Sequence, residues 1–172
     1  IPGSTITDYQ ASLESRWSSR LFTSLNVERR DVKNSETIAG EKNTTYFVSA
    51  AVNTILTDRL GAFVRYKLAD SENKDGLYIG KALPMLPRHV AGAGLVWVSP
   101  LYVKAMLSTY YIAGMYGDNE NTYKLPDFWT TDFALTWETL KKHLMIKFEA
   151  KISLIISMKQ SRVIRQQAGL LL

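Results

Sequence analysis

The chain is 172 residues long, has no cysteine, and carries a formal charge of +5 from 21 basic and 16 acidic side chains. That length is enough for one domain with a real core, the missing thiols exclude a disulfide scaffold and thiolate metal centres, and the scattered basic excess gives little support to a nucleic-acid partner. No run approaches the ~18 apolar residues of a membrane-crossing helix, which leaves strand-built membrane proteins open.

Residues 9–17 alternate with a period of two. Tyr9, Ala11, Leu13 and Trp17 lie on one side, and Gln10, Ser12, Glu14 and Arg16 on the other. That period predicts an extended strand with two distinct faces. A short turn at Ser18–Arg20 leads into 21–30, where Leu21, Leu25 and Val27 oppose Ser24, Asn26, Glu28 and Arg30. Asp31–Asn43 is polar and reads as a loop. The next pair covers 44–56 and 60–69, turning at Thr57–Arg59. Tyr46, Val48, Ala50, Val52, Val64, Tyr66 and Leu68 take the apolar side, with Arg65 and Lys67 opposite.

Asp70–Pro87 is the longest predicted loop. Strands at 88–98 and 101–113 follow, joined at Ser99–Pro100, with Trp97 and Tyr111 on the apolar parity and Lys104 on the polar one. Gly92 and Gly94 inside the first of these imply strong curvature or close backbone approach. Gly114–Pro126 is a third long loop. The last hairpin, 128–138 and 143–151, has the clearest pattern. Trp129, Phe133, Trp137 and Phe148 oppose Asp132, Lys147 and Glu149 across a turn at Thr139–Lys142.

These readings give an all-β fold, an antiparallel up-and-down meander of about eight long strands. Connections alternate strictly between short and long. Outer-membrane barrels obey that rule, with short periplasmic turns, longer external loops, and aromatic girdles bounding an apolar band. On this reading Glu14, Arg16, Glu28, Arg30, Arg65, Lys67, Lys104, Asp132, Lys147 and Glu149 face a wet lumen. Tyr9, Trp17, Tyr46, Tyr66, Trp97, Tyr111, Trp129, Phe133, Trp137 and Phe148 face lipid or form its girdles. Inward Phe22, Phe47, Phe63 and Tyr102 fill the lumen side. A soluble β-sandwich binding module is the alternative for any single hairpin.

After Lys151 the alternation stops matching, so 1–151 reads as a partial barrel and 152–172 as a tail of different character. A short amphipathic helix is one reading of that tail; a displaced reading frame is the other. Plausible codons read from the last base of Lys151 turn Lys-Ile-Ser-Leu-Ile-Ile-Ser-Met into Asn-Phe-Phe-Asp-Asn-Lys-Tyr. The opening IPGSTITDYQ has neither an initiator Met nor a signal peptide, and the expectation is a piece of a longer protein.

The displaced ending resembles the C-terminus of TonB-dependent outer-membrane receptors. So do Leu125-Pro126-Asp127-Phe128-Trp129 entering a strand, Trp137-Glu138 and the strand Leu144–Lys151 that follows them, Pro87-Arg88-His89 opening a strand after a long loop, and Thr57-Asp58-Arg59-Leu60 at a short turn. The resemblance covers nearly all of residues 5–151. It implies a segment of a 22-stranded barrel of the bacterial outer membrane. In the intact protein that barrel encloses a plug domain, and the TonB protein powers import of a siderophore, cobalamin or similar scarce ligand. A passive porin or a polysaccharide-export barrel shares the same alternation and is the other reading.

No catalytic constellation is present, and neither an enzyme nor a bound cofactor is expected. His89 and His143 open strands at opposite ends and should not meet. Asp118 and Glu120 lack calcium-loop spacing, and a solvated loop is expected there. Lys74, Tyr78, Lys81, Tyr116 and Tyr123 sit in the long loops and are the candidate ligand contacts, by cation and aromatic contact to an anionic metal chelate; for the tyrosines the bland alternative is headgroup anchoring.

Overall fold

The computed structural model describes residues 3–34, 42–139 and 144–155. Within them lie eight strands: β1 Ser4–Arg16, β2 Leu21–Asn34, β3 Lys42–Thr57, β4 Leu60–Asn73, β5 His89–Val98, β6 Val103–Ala113, β7 Phe128–Thr139 and β8 Leu144–Ile155. They form one antiparallel sheet in the order β1-β2-β3-β4-β5-β6-β7-β8. Among the described residues each strand touches only its neighbours in sequence, so β1 and β8 are the edges of this sheet and no second layer packs on either face. The described residues thus lack the second sheet against which a β-sandwich buries one face of the first.

The registers carry parity through the whole sheet. Leu13 pairs with Leu25, Leu25 with Ala50, and Ala50 with Tyr66. Tyr66 then pairs with Ala91, Ala91 with Tyr111, Tyr111 with Trp129, and Trp129 with Leu154. The one irregularity, between Ile55 and Thr57, lies at the very end of β3 and disturbs nothing beyond it. Directly paired residues share a face, so one slip would have mixed the two sets.

The described short turns have a common chemistry. Arg20 and Leu21 amides donate to Ser18 Oγ at 3.1 Å each. Arg59 and Leu60 amides donate to Thr57 Oγ1 at 3.3 and 3.1 Å, and the Leu101 amide to Ser99 Oγ at 3.2 Å. A hydroxyl at the first turn position supplies the acceptor that a tight reversal otherwise lacks. The turn after β5 is longer than the predicted Ser99–Pro100. It includes Tyr102, which has φ 59 and is exposed. Tyr102 therefore does not fill the polar face as a strand residue. The predicted turn at Thr139–Lys142 falls almost wholly outside the described residues, as does His143.

The strands outrun their apolar pattern. β2 and β3 extend to Asn34 and from Lys42 into the predicted first loop, and β4 reaches Asn73. β8 runs to Ile155, four residues past Lys151; from 156 onward the predicted tail lies outside the described residues.

Candidate functional site: two faces and a loop cap

One face is almost purely apolar along its middle. Trp97, Phe133, Trp137 and Phe148 lie on it with 37–57% of their surface exposed and nothing packed over them. Tyr9, Tyr46, Tyr66, Tyr111 and Trp129 share this face by register, and Trp17, just past the end of β1, reaches it through Thr23. Tyr9 to Trp17 and Trp129 to Trp137 each span eight residues, about 26 Å along a strand and about 20 Å in height at a tilt near 40°. Polar tips at both limits are satisfied. Trp17 Nε1 donates to Thr23 Oγ1 at 2.8 Å, Tyr111 OH to Asp127 Oδ2 at 2.7 Å, and Tyr66 OH meets His89 Nδ1 at 2.8 Å. From the level of Tyr9 and Tyr46 upward the same face turns charged, with Arg29 and Asp31 ion-paired at 3.0 Å and Arg88 and Asp70 at 3.5 Å.

The opposite face holds Glu14, Arg16, Glu28, Arg30, Arg65, Lys67, Lys104, Asp132, Lys147 and Glu149, again by register. Arg30 pairs with Asp8 and Glu28 at 2.9 Å each, Lys147 with Glu149 at 2.6 Å, and Lys151 stands 3.9 Å from Asp132. Aromatic rings take three more of the cations. Arg16 lies over Phe22, Arg65 over Phe63 at 4.7 Å, and Lys67 over Phe47 at 4.3 Å. Such contacts orient a cation against the negative ring face. Gly92 and Gly94 belong to this arrangement. The Tyr110 ring lies on Gly92 and the Phe63 ring on Gly94, where an added Cβ would stand 2.5 Å from Phe63 Cζ. Of the two readings of these glycines, close approach is what the structure contains, and the approaching group is a ring.

At one end the second and third long loops are tied together. The Ala82 amide donates to Asn121 Oδ1 at 2.7 Å, Asn121 Nδ2 returns a bond to Ala82 O at 3.0 Å, and the Met85 amide donates to Tyr116 O at 2.8 Å. Asn121 adopts φ 58 to do this, a conformation that Asn tolerates better than most residues. Asp118 is spent inside its own loop. It accepts from the Thr122 and Tyr123 amides at 3.0 Å each and from the Thr122 hydroxyl. The Thr122 hydroxyl, and then those amides, hold its carboxyl below the usual range. The loop is thus an ordered turn rather than an open cluster of cation ligands.

The candidate ligand contacts are dispersed. Lys74 pairs with Glu72 at 2.6 Å. Tyr116 lines a cleft of about 550 Å³ with Tyr66, Arg88, His89, Tyr111 and Lys124, on the apolar-face side. Tyr123 lies over Gly117, and Lys81 donates its amide to Tyr78 O at 3.0 Å. The Asn121 tie escaped sequence reading, although Asn in a polar turn carries the αL signal. The ring–cation pairs were accessible from parity alone for Phe63 and Arg65, two residues apart on one face.

A single meander with one apolar face, one polar face and bonded loops at one end defines a length of β-barrel wall. The chain belongs to the family described as TonB dependent receptor-like, beta-barrel, which it matches over residues 4–153. Among solved structures it is similar to the ferric yersiniabactin uptake receptor FyuA from Yersinia pestis, with a TM-score of 0.65 and 15% identity. That match covers 85% of this chain and 24% of the receptor, so the chain spans about a quarter of that protein's length. At such identity the likeness shows the fold alone. No curated protein sequence matches the chain. The family is one of outer-membrane barrels, and both it and the solved neighbour are receptors rather than enzymes.

Proposed function

We propose that this chain is part of the barrel wall of a TonB-dependent importer in the bacterial outer membrane, taking up a siderophore or a similarly scarce ligand. The apolar face, from Tyr9 and Trp129 at one girdle to Trp17, Trp97 and Trp137 at the other, meets lipid. The polar face, from Glu14 to Glu149, lines the lumen and meets water and a plug domain. The short turns at Ser18, Thr57 and Ser99 are periplasmic and the tied loops external. In those loops Tyr78, Lys81 and Tyr123 are the contacts for an anionic chelate, because Lys74 and Tyr116 are engaged toward the outer flank. TonB and the plug belong to the intact protein. Family membership favours this reading over a passive porin or a polysaccharide exporter.

The observation that carries it is the unbroken parity across seven strand pairings. A sheet between water and water has no need to keep Trp and Phe bare on one side. Because the chain has no cysteine, single cysteines report each position cleanly. In outer membranes, cysteines at Ser49, Ala134 and Lys147 are expected to react with a water-soluble maleimide from the lumen. Those at Leu107, Phe133 and Phe148 are expected to stay unlabelled until the membrane is dissolved. Labelling without regard to parity refutes the assignment. Import itself is tested separately, by loss of ligand uptake on dissipating the proton gradient.

A further inference from the structure

Arg65 and Lys67 are neighbours on the polar face of β4, two residues and so roughly 6.6 Å apart. Like charges on one face repel unless their heads separate or a counter-charge stands between them. Among the described residues neither has a carboxylate within ion-pair distance, although the other cations of this face in β2 and β8 do. Each is held by a ring instead, and the rings lie in opposite directions. Arg65 leans along its own strand onto Phe63 at 4.7 Å, while Lys67 leans across to Phe47 at 4.3 Å. A ring fixes a cation without neutralising it.

The splayed heads open a basin of about 340 Å³, lined by Ser24, Asn26, Ser49, Arg65, Lys67 and Tyr110. Its floor is made of small residues, with Ser24, Asn26 and Ser49 set among Ala51, Val90 and Gly92, so the polar groups are few and lie beside the two cations. Two oriented, uncompensated positive charges flank neutral donors. Guanidinium pairs with carboxylate in bidentate geometry, and ammonium does so as a point charge.

We infer that Arg65 and Lys67 form a binding site on the polar face for a group bearing two carboxylates, one at each head. Phe63 and Phe47 draw the two heads in opposite directions, so two separate carboxylates match them better than one compact anion. The site requires only that this face be open to water, so it stands or falls independently of the importer reading. The two carboxylates are those of a free small dicarboxylate or of two acidic side chains on a protein segment lying against the sheet.

The test is isothermal titration of the full chain, refolded in zwitterionic detergent, with glutarate, acetate and an end-capped Gly-Glu-Gly-Glu-Gly peptide at constant ionic strength. Saturable one-to-one binding of glutarate is expected, at least tenfold tighter than acetate. The K67Q and R65Q variants should each weaken it tenfold or more, whereas K67R should stay within about threefold and R88Q, altered on the other side, should match the parent. Peptide binding tenfold tighter than glutarate assigns the site to a protein segment; equal or weaker peptide binding assigns it to a free dicarboxylate. Absence of saturable glutarate binding, or binding equal in K67Q and the parent, overturns the proposal. So does loss in K67R as complete as in K67Q, which would trace the effect to packing on Phe47.

Discussion

Gly92 and Gly94 face Tyr110 and Ser108 across the β5–β6 ladder, and neither position has room for a methyl group. At Gly92 the obstacle is the Tyr110 ring alone. At Gly94 it is both the Phe63 ring, 2.5 Å from the would-be Cβ, and the fixed Leu107 carbonyl at 2.8 Å. Overpacking of this kind costs about 1–3 kcal/mol. Gly94→Ala is expected at the top of that range and Gly92→Ala near the bottom, read from urea unfolding in micelles. Displacing Phe63 should also free Arg65. Asp118 offers a pH-dependent counterpart. Its carboxyl is held below the usual range in the folded loop, chiefly by the Thr122 hydroxyl. The loop therefore has its full stabilisation above the ordinary carboxylate range and loses it as pH falls through the lowered folded value. Amide exchange at Thr122 and Tyr123 should accelerate across that acid window, and Asp118→Asn should show the faster exchange already at neutral pH. Exchange that is flat with pH in the parent chain would mean that the turn does not depend on the ionised carboxylate.

At the scale of the strand, parity decides what a substitution costs. Leu107 pairs with Leu95 and Phe133 on the apolar face, while Ala134 pairs with Met106 and Glu149 on the polar one. An arginine at mid-membrane on a lipid face costs roughly 2–4 kcal/mol. Leu107→Arg should lose about that much in bilayer unfolding, whereas Ala134→Arg should change stability by less than about 1 kcal/mol, with Glu149 opposite to receive it. Equal losses would contradict a lipid-facing side. The same parity is what made the elements legible: period-two alternation located the hairpins, and the registers keep its two sets of strand residues on separate faces. It failed where the second solvent stops. Asp31 and Lys33 in β2, and Asp70 and Glu72 in β4, continue the ladder with polar residues on the side that is apolar lower down. Backbone pairing needs no hydrocarbon, so the strands persist after their sequence signature has ended.

Taken whole, the molecule is an open sheet, and its loop cap was not legible. Asn121 meets Ala82 across 39 residues of sequence, a distance over which local turn chemistry carries no information. The cleft that Tyr116 joins, with Tyr66 and Tyr111 from two strands, is equally beyond local sequence. The splaying of Arg65 and Lys67 was likewise hidden, because it depends on Phe47 arriving from the neighbouring strand. Family membership and parity agree on a barrel wall, with β1 and β8 as the outer strands of the described sheet.

The continuous ladder also constrains how a wall of this kind can change in length. Excising one strand would reverse the direction of everything after it and exchange the turn end with the loop end. Excising two, for example β5 and β6 together, would bring β4 beside β7 with direction and sidedness both intact. Insertions and losses that leave a working circumference are therefore quantised in hairpins, each carrying one reversal and one share of the external loops.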